Sequence, residues 1–295
     1  MILLTGATGL VGSALLRRLL DAGADVRCLV RDPRRLGPNR VRVHITLGDV
    51  SDPVSVRQAV RGVDAVVHLA AAIRDQPAAT IEEVTGMGTA RLVREAERAG
   101  AGRFVFFSAL GASPTSPTRF FRAKALAERA VLESDLDTSV VAPSIVYAPG
   151  DHWMTLLARL MLLPWVPIVG TGRARFQPIW AEDVANLTQR LVDDPPPERR
   201  RFEIGGPEVL TYDEIVRVAM EVEGRRRPLI HVPLPVVRRA LRTLERIVGP
   251  SVFATWEEAE LMEESMTSAR AVDDARALGV DPKPMREVLG LAGGR

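Results

Sequence analysis

Short apolar runs alternate with longer stretches of helical spacing over the first 150 residues. The apolar runs predict strands at residues 1–5, 25–31, 41–49, 64–71, 103–109 and 138–147. The stretches between them predict helices at residues 10–20, 53–61, 79–99 and 117–134. Strands that are almost continuously Val, Ile, Leu and Phe are typical of a parallel sheet covered on both faces. We therefore expect an α/β fold with a doubly wound parallel sheet.

The alternation loosens after about residue 150. Further strand-like pieces occur at residues 176–180 and 201–206, and the chain is mostly helical from Pro233, with breaks at 248–250 and 279–284. We predict a core over residues 1–150, to which the chain returns near 176–205. Residues 151–295 should form a smaller, mostly helical C-terminal lobe over the carboxyl ends of the strands, where doubly wound folds bind ligands.

The most apolar window, residues 156–170, is interrupted by Arg159, Pro164 and Pro167. It is shorter than the ~20 residues that a bilayer span requires. We therefore favour a core segment or a pocket lid over a membrane contact, and we expect no transmembrane segment.

Composition excludes several classes of protein. The formal net charge is only +2, so we expect no nucleic-acid partner. Cys28 is the only cysteine, which excludes an internal disulfide and favours a reducing compartment. It lies in a predicted buried strand. The apolar run at the start is too short for a signal peptide, so we expect a cytoplasmic protein. The four histidines show no metal-binding spacing.

The sequence TGATGLVGSALL joins the first strand to the first helix and contains Gly6, Gly9 and Gly12. Residues without a β-carbon allow a tight turn and a close approach of a pyrophosphate to the helix N-terminus. This context predicts a dinucleotide site in a Rossmann sheet. The predicted contacts of the loop are Gly6, Thr8, Gly9, Leu10, Val11 and Gly12.

The end of the second strand distinguishes the two dinucleotides. NAD enzymes usually carry an acidic residue there, which binds the ribose hydroxyls. This chain has Arg31, with Arg34 and Arg35 close behind, and guanidinium groups suit a 2′-phosphate. NADP(H) is therefore favoured over NAD(H). The adjacent Asp32 keeps NAD(H) open, because a shift of one residue would restore the acid.

Further motifs resemble those of the extended and atypical short-chain dehydrogenase/reductase superfamily, whose members include NAD-dependent epimerase/dehydratase-like proteins. They are GDVSD (48–52), VVHLAA (66–71), FVFFSALGA (104–112), APSIVYAPGD (142–151) and FEIGGPEVLTYDEI (202–215). Within it the chain is similar to the group related to the Rossmann-fold accessory subunit of respiratory complex I. The resemblance implies further cofactor contacts: Asp49 and Val50 at the adenine, Leu69, Ala70 and Ala71 along the cofactor, and Pro143 and Ile145 near the nicotinamide.

The resemblance also implies a catalytic YxxxK motif, from which this chain departs. Phe120 stands at the tyrosine position and has no proton to give, whereas Lys124 is retained as one of only two lysines. We expect Lys124 to bind the nicotinamide ribose, and in relatives that lack the tyrosine the lysine itself is a candidate for proton transfer. Ser108 is a candidate for both cofactor binding and catalysis, although Ala109 matches the catalytic serine in one alignment. Tyr147 is a further candidate hydroxyl.

Two functions remain open at this point. The first is an NADPH-dependent oxidoreductase with a non-standard active site, acting on an apolar small molecule under a lobe that contains Trp153 and Trp165. The alternative is a non-catalytic dinucleotide-binding redox sensor, or an assembly or accessory protein of a respiratory complex. A protein partner is compatible with either function.

Overall fold

The structure of the protein is a computed structural model that describes residues 1–77, 79–194, 200–248 and 254–291. In chain order the strands are β1 Ile2–Thr5, β2 Val26–Val30, β3 His44–Leu47, β4 Ala65–His68, β5 Arg103–Phe107, β6 Asp137–Pro143, β7 Val146–Tyr147, β8 Val166–Val169, β9 Arg175–Phe176, β10 Ile179–Trp180, β11 Arg200–Ile204, β12 Leu210–Thr211 and β13 Leu229–Val232. The α-helices are α1 Leu10–Asp21, α2 Pro53–Ala59, α3 Gly88–Arg98, α4 Arg119–Leu132, α5 His152–Leu160, α6 Ala181–Asp193, α7 Tyr212–Val222, α8 Leu234–Val248, α9 Trp256–Leu261, α10 Ala271–Ala277 and α11 Met285–Val288.

Seven parallel strands form the central sheet, in the order β11-β6-β5-β4-β1-β2-β3. Leu4 of β1 lies between Cys28 of β2 and Val67 of β4, which are its partners on either side. The strands near the middle are buried on both faces, as their uninterrupted apolar sequences require. The order reverses between β1 and β4, and the edge beyond the carboxyl ends of these strands is the expected place for a ligand.

Helices cover both faces of the sheet. Leu15 and Leu19 of α1 share one apolar layer with Leu187 of α6. On the opposite face, Leu92 of α3 and Val131 of α4 belong to a second buried layer. The prediction of an α/β fold with a doubly wound parallel sheet is therefore confirmed, and so is the prediction of a packed thiol, because Cys28 is fully buried.

The later part of the chain contains three two-stranded sheets as well as helices. β7 pairs with β10 and β8 with β13 in parallel, and β9 pairs with β12 in antiparallel orientation. These pairs surround a third apolar cluster, which includes Phe121, Tyr147, Leu157 and Phe176. The seventh strand of the main sheet, β11, also comes from this later part of the chain.

Two predicted elements differ from the observed ones. The strand predicted over 138–147 ends at Pro143 and resumes at Val146, because the Ser144 amide turns to donate to Ile204 O (2.7 Å) and its hydroxyl donates to Met266 O (2.7 Å). The helix predicted over 79–99 begins instead with a π-helical turn, Glu82–Met87, before α3. Two of the residues of the predicted break at 248–250, residues 249 and 250, lie outside the described residues. None of the described helices is long and apolar enough to cross a membrane.

Candidate functional site

The glycine loop lies where β1 passes into α1. Gly6 has a φ of +75°, and a β-carbon there would stand 2.7 Å from the Ala70 nitrogen. A β-carbon on Gly12 would stand 2.1 Å from Gly6 O, so the loop could not close as it does. Gly9 accepts the Ser13 amide and caps α1, whose first-turn amides have no acceptor within the helix. The loop therefore presents backbone donors at a helix N-terminus, which is an anion site.

A cleft of about 260 Å³ opens between this loop and the ends of β2, β4 and the residues after β3. Its lining contains ten of the residues predicted to bind the cofactor: Gly6, Thr8, Gly9, Arg31, Arg35, Asp49, Val50, Leu69, Ala70 and Ala71. Leu10, Val11 and Gly12 lie behind the loop in the first turn of α1. The lining also includes Gln76 and Val84, which no sequence motif marked.

Arginine side chains occupy the far end of the cleft. Arg31 donates to the Gln76 side chain, and its Nε lies 3.7 Å from Asp49 Oδ2. The Asp49 carboxylate also accepts the Ser51 amide at 2.8 Å, which holds it at the cleft wall. Arg35 lines the cleft and makes no ion pair with any described residue. The positive charge at this end therefore includes one guanidinium that no described carboxylate contacts, although its charge helps to lower the pKa of Asp32.

Asp32 is engaged elsewhere. Its carboxylate accepts the Arg34 amide at 3.0 Å and caps the 3₁₀ turn Pro33–Val41. It also accepts the Arg34 guanidinium, and these bonds lower the pKa of Asp32. Because Asp32 is not part of the cleft lining, the acidic residue that would bind ribose hydroxyls in an NAD site faces the turn instead.

A buried hydrogen-bond network supports the cleft from below. Thr89 donates its hydroxyl to Thr85 O at 2.6 Å, so its oxygen accepts from His68 Nε2 at 2.9 Å. His68 Nδ1 then accepts from Thr5 Oγ1 at 2.6 Å, and Thr5 Oγ1 accepts the Ala70 amide at 3.3 Å. Burial and the nearby charge of Lys124 lower the pKa of His68 to about 3. His68 is therefore a neutral, hydrogen-bonded core residue.

Lys124 projects from α4 into the protein interior, with 3% of its surface exposed. Its ammonium donates to Phe107 O and lies 5.0 Å from the Phe106 ring centroid and 5.6 Å from that of Phe120. Burial lowers the pKa of Lys124 to about 7, and the charge of Glu128 offsets this only in part. Lys124 therefore has the buried ammonium and the perturbed pKa expected of a functional group. It does not line the cleft, and ribose binding stays a prediction.

Two nearby hydroxyls lack hydrogen-bond partners among the described residues. Ser108 is 5% exposed; its amide donates to Val141 O at 2.7 Å, but its Oγ is unpaired. Tyr147 is fully buried in the third apolar cluster, and its hydroxyl is also unpaired. Burial, together with the charges of nearby carboxylates, raises the pKa of Tyr147. A buried hydroxyl without a partner costs about 1–3 kcal/mol, and ligand-binding sites are one place where such groups are found.

Pro143 and Ile145 lie on either side of the break between β6 and β7. Pro143 O accepts the Leu110 amide at 2.9 Å, and Ile145 O accepts the Ile179 amide at 3.0 Å. Both residues thus lie beside the carboxyl end of the sheet, as Ser108 does, but outside the cleft lining. The structure therefore brings together in an open cleft the residues predicted to contact the adenosine and the pyrophosphate, whereas the residues predicted to lie near the nicotinamide are packed into the protein.

The Asp151 carboxylate has a structural role, because it accepts the Met154 amide at 2.7 Å and caps α5. The apolar window 156–170 is only partly core. Leu157 and Met161 are buried, whereas Trp165 is 40% exposed.

Residues 6–153 match a family described as NAD(P)H-binding, which is half of the chain. A sterol demethylase protein B from Methylococcus capsulatus is 32% identical over 260 residues, covering 78% of this chain and 77% of that protein. A ceramide reductase from Caulobacter vibrioides is 28% identical over 277 residues, covering 92% of this chain and 87% of that protein.

A mitochondrial NADH dehydrogenase [ubiquinone] 1 alpha subcomplex subunit 9 from Arabidopsis thaliana is 27% identical over 246 residues. The match covers 79% of this chain but only 60% of the plant subunit. Among solved structures, a nucleoside-diphosphate-sugar epimerase from Staphylococcus aureus has a TM-score of 0.79 at 19% identity, covering 98% of this chain and 99% of that one. That likeness concerns the fold alone.

Proposed function

We propose, from the premise that this chain belongs to the NAD(P)H-binding family within the extended and atypical short-chain dehydrogenase/reductases, that it is an NADP(H)-dependent oxidoreductase acting on an apolar small molecule. The observation that carries this proposal is the cleft at the glycine loop, with Arg31 and Arg35 at its far end. The loop suits a pyrophosphate, because its closure, which a β-carbon on Gly6 or Gly12 would prevent, leaves backbone amides at the N-terminus of α1 facing the cleft.

The choice of NADP(H) is supported by the arrangement of charges at the cleft. Arg35 has no carboxylate partner among the described residues and can pair with a 2′-phosphate. Asp32, the residue that would favour NAD(H), caps the 3₁₀ turn and accepts hydrogen bonds from Arg34. A guanidinium facing the ribose, with the acid turned away, favours the phosphorylated cofactor.

The reduced dinucleotide, when bound, supplies a hydride to a carbonyl carbon, and a proton must then reach the carbonyl oxygen. Phe120 cannot give that proton. The Lys124 ammonium, with a pKa of about 7, is partly protonated at neutral pH and can release its proton. The unpaired Ser108 hydroxyl is available to donate a hydrogen bond to the substrate oxygen. Tyr147, whose pKa is raised, holds its proton more firmly and is the weaker candidate.

An apolar substrate is supported by two relatives and by the later part of the chain. The relatives named ceramide reductase and sterol demethylase protein B carry the names of lipids. The residues around Phe121, Tyr147 and Leu157, next to the proposed reacting centre, are predominantly apolar. A small carbonyl compound with a long apolar part is the substrate class that we propose. A cytoplasmic location is part of the proposal and is supported by the single cysteine, Cys28, which leaves the chain without an internal disulfide.

The test is a titration of cofactor-free protein with NADPH and NADH, followed by nucleotide fluorescence. NADPH should bind at least about tenfold more tightly, since a charge-assisted pair contributes about 1.5–3 kcal/mol. Arg35→Gln should remove most of this preference, whereas Arg40→Gln, an exposed arginine of the same turn that does not line the cleft, should not. Equal affinities in the wild type would refute the choice of NADP(H).

A second candidate function is a non-catalytic dinucleotide-binding sensor or accessory protein. Phe120 favours it, as does the Lys124 ammonium, which already donates to Phe107 O. The mitochondrial NADH dehydrogenase subunit among the relatives is compatible with it. Long-chain aldehydes, ketones and quinones added to the NADPH-bound protein distinguish the two functions. Oxidation of NADPH supports the oxidoreductase, and tight binding without turnover across the panel supports the sensor.

A further inference from the structure

The connection between α5 and β8 exposes four consecutive apolar residues, Leu162, Leu163, Pro164 and Trp165. We call them the apolar tip. Leu162 is 65% exposed, Leu163 43% and Trp165 40%. The residues on either side, Met161 and Val166, are fully buried, so the exposure begins and ends sharply. Isolated exposed apolar residues are ordinary on protein surfaces, but a contiguous group of large ones marks an interaction site.

An arginine cluster lies beside the apolar tip. Arg225 donates to Met161 O at 3.2 Å, immediately before the tip. The Val166 amide donates to Pro228 O at 2.9 Å, immediately after it. These two hydrogen bonds hold the segment Arg225–Pro228 against the tip on both sides. Arg226 and Arg227 are exposed, and none of the three arginines forms an ion pair with a described residue.

The combination of groups identifies the partner chemically. Leucine side chains gain free energy by entering a hydrocarbon layer, and tryptophan is favoured at the level of the lipid headgroups. Arginines next to such residues are attracted to anionic lipid phosphates. We propose that the apolar tip and Arg225–Arg227 dock this part of the protein on the surface of an anionic phospholipid bilayer.

A second copy of the chain fits this surface less well. A two-fold interface centred on the apolar tip would bring both copies of the adjoining arginine cluster into one interface. Repulsion between unpaired guanidinium groups opposes that arrangement, whereas an anionic bilayer neutralises them. The proposal rests on this surface and not on the proposed function, so it holds whether or not the protein turns over a substrate.

The test is cosedimentation of the full chain with vesicles of phosphatidylcholine and phosphatidylglycerol in equal parts, compared with vesicles of phosphatidylcholine alone. We expect binding to the anionic vesicles and much weaker binding to the neutral ones. Leu162→Asn/Leu163→Asn should reduce the affinity at least about tenfold. Arg226→Gln/Arg227→Gln should reduce it by about fivefold for each charge removed. A blue shift of tryptophan emission on binding should be lost in Trp165→Phe.

The matched control is Val41→Asn/Leu47→Asn, which replaces two apolar residues that are 82% and 64% exposed elsewhere on the protein. It should bind vesicles as the wild type does, and all variants should keep the far-UV circular dichroism and the cooperative urea unfolding of the wild type, which shows that they are folded. Three results would overturn the proposal: no binding of the wild type to anionic vesicles, equal binding by the tip variant, or a wild-type dimer that the tip variant dissociates. A wild-type dimer that the tip variant dissociates would assign the surface to a second copy. If the wild type did not bind anionic vesicles, a protein partner would be sought.

Discussion

The ammonium of Lys124 is enclosed by Phe106, Phe120 and the Phe107 carbonyl group, and no carboxylate of the described residues is within hydrogen-bond distance of it. Such an environment favours the neutral amine, because burial penalises the charged form. In the unfolded chain the same amine has the ordinary pKa of 10.5, whereas in the folded protein its pKa is about 7. The residue therefore links the protonation of the site to the stability of the fold.

This linkage has a definite sign. Between about pH 7 and pH 8.5 the unfolded state binds the Lys124 proton more fully than the folded state does, so the free energy of unfolding should rise with pH, by up to about 1.4 kcal/mol per pH unit. Lys124→Met should flatten this rise. Urea unfolding of both proteins at the two pH values measures the difference. Parallel pH profiles for the wild type and the variant would mean that Lys124 is charged in the folded state throughout this range.

Phe120 offers a test of the active site by restoration. Phe120→Tyr would add a hydroxyl to a ring whose centroid lies 5.6 Å from the Lys124 ammonium, and that charge would lower the pKa of the new phenol. A positioned general acid typically contributes about 10²–10⁴-fold to a rate. We expect reduction of carbonyl compounds by NADPH to increase about 10²-fold or more. Phe120→Leu, which removes the ring and adds no hydroxyl, is the control. If the tyrosine variant bound NADPH as tightly as the wild type but turned over no faster, the interpretation of Phe120 as the position of a missing general acid would be contradicted.

At the scale of the element, the turn from β1 to α1 requires Gly9 and Gly12 for different reasons. A β-carbon on Gly12 would meet Gly6 O at 2.1 Å, whereas one on Gly9 would meet it at 3.3 Å. Gly12→Ala should therefore destabilise the fold by about 1–3 kcal/mol and abolish NADPH binding. Gly9→Ala should leave the free energy of unfolding nearly unchanged but weaken NADPH binding, since Gly9 lines the cleft. Urea unfolding and NADPH titration of both variants separate the two effects; equal destabilisation would contradict the expected difference.

The strands and the glycine loop were predictable because burial on both faces of a sheet restricts composition over several adjacent residues. The break at Ser144 was not, because it depends on hydrogen bonds to Ile204 and Met266, which are distant in sequence. The π-helical turn Glu82–Met87 and the contact of Gln76 with Arg31 left no periodic signal either. For Lys124 the sequence predicted a special role from its rarity. Its enclosure by aromatic rings, however, depends on the packing of α4 against β5.

At the scale of the whole molecule, the two halves of the candidate cofactor site differ. The residues predicted to contact the adenosine and the pyrophosphate line an open cleft on the Rossmann sheet. Ser108 and Lys124, which are predicted to lie on the nicotinamide side, are buried where α4 and the third apolar cluster cover the ends of β5 and β6. A ligand that uses only the open cleft should therefore bind without any rearrangement, whereas one that must reach Ser108 should displace part of this packing.

This difference predicts how two ligands should compare. 2′,5′-ADP carries the adenosine and the 2′-phosphate without the nicotinamide, so it should bind in the open cleft and retain a large part of the affinity of NADPH. Both ligands should protect the amides of the glycine loop, residues 6–13, from hydrogen exchange. Only NADPH should also change the exchange of residues 118–132 and 144–160, because its nicotinamide must approach Lys124 and the β6–β7 break. If 2′,5′-ADP produced the same changes in these segments, the nicotinamide would not be what rearranges them. If NADPH bound without changing them, its nicotinamide would lie outside the buried groups, and Lys124 could not donate a proton to a substrate placed against it.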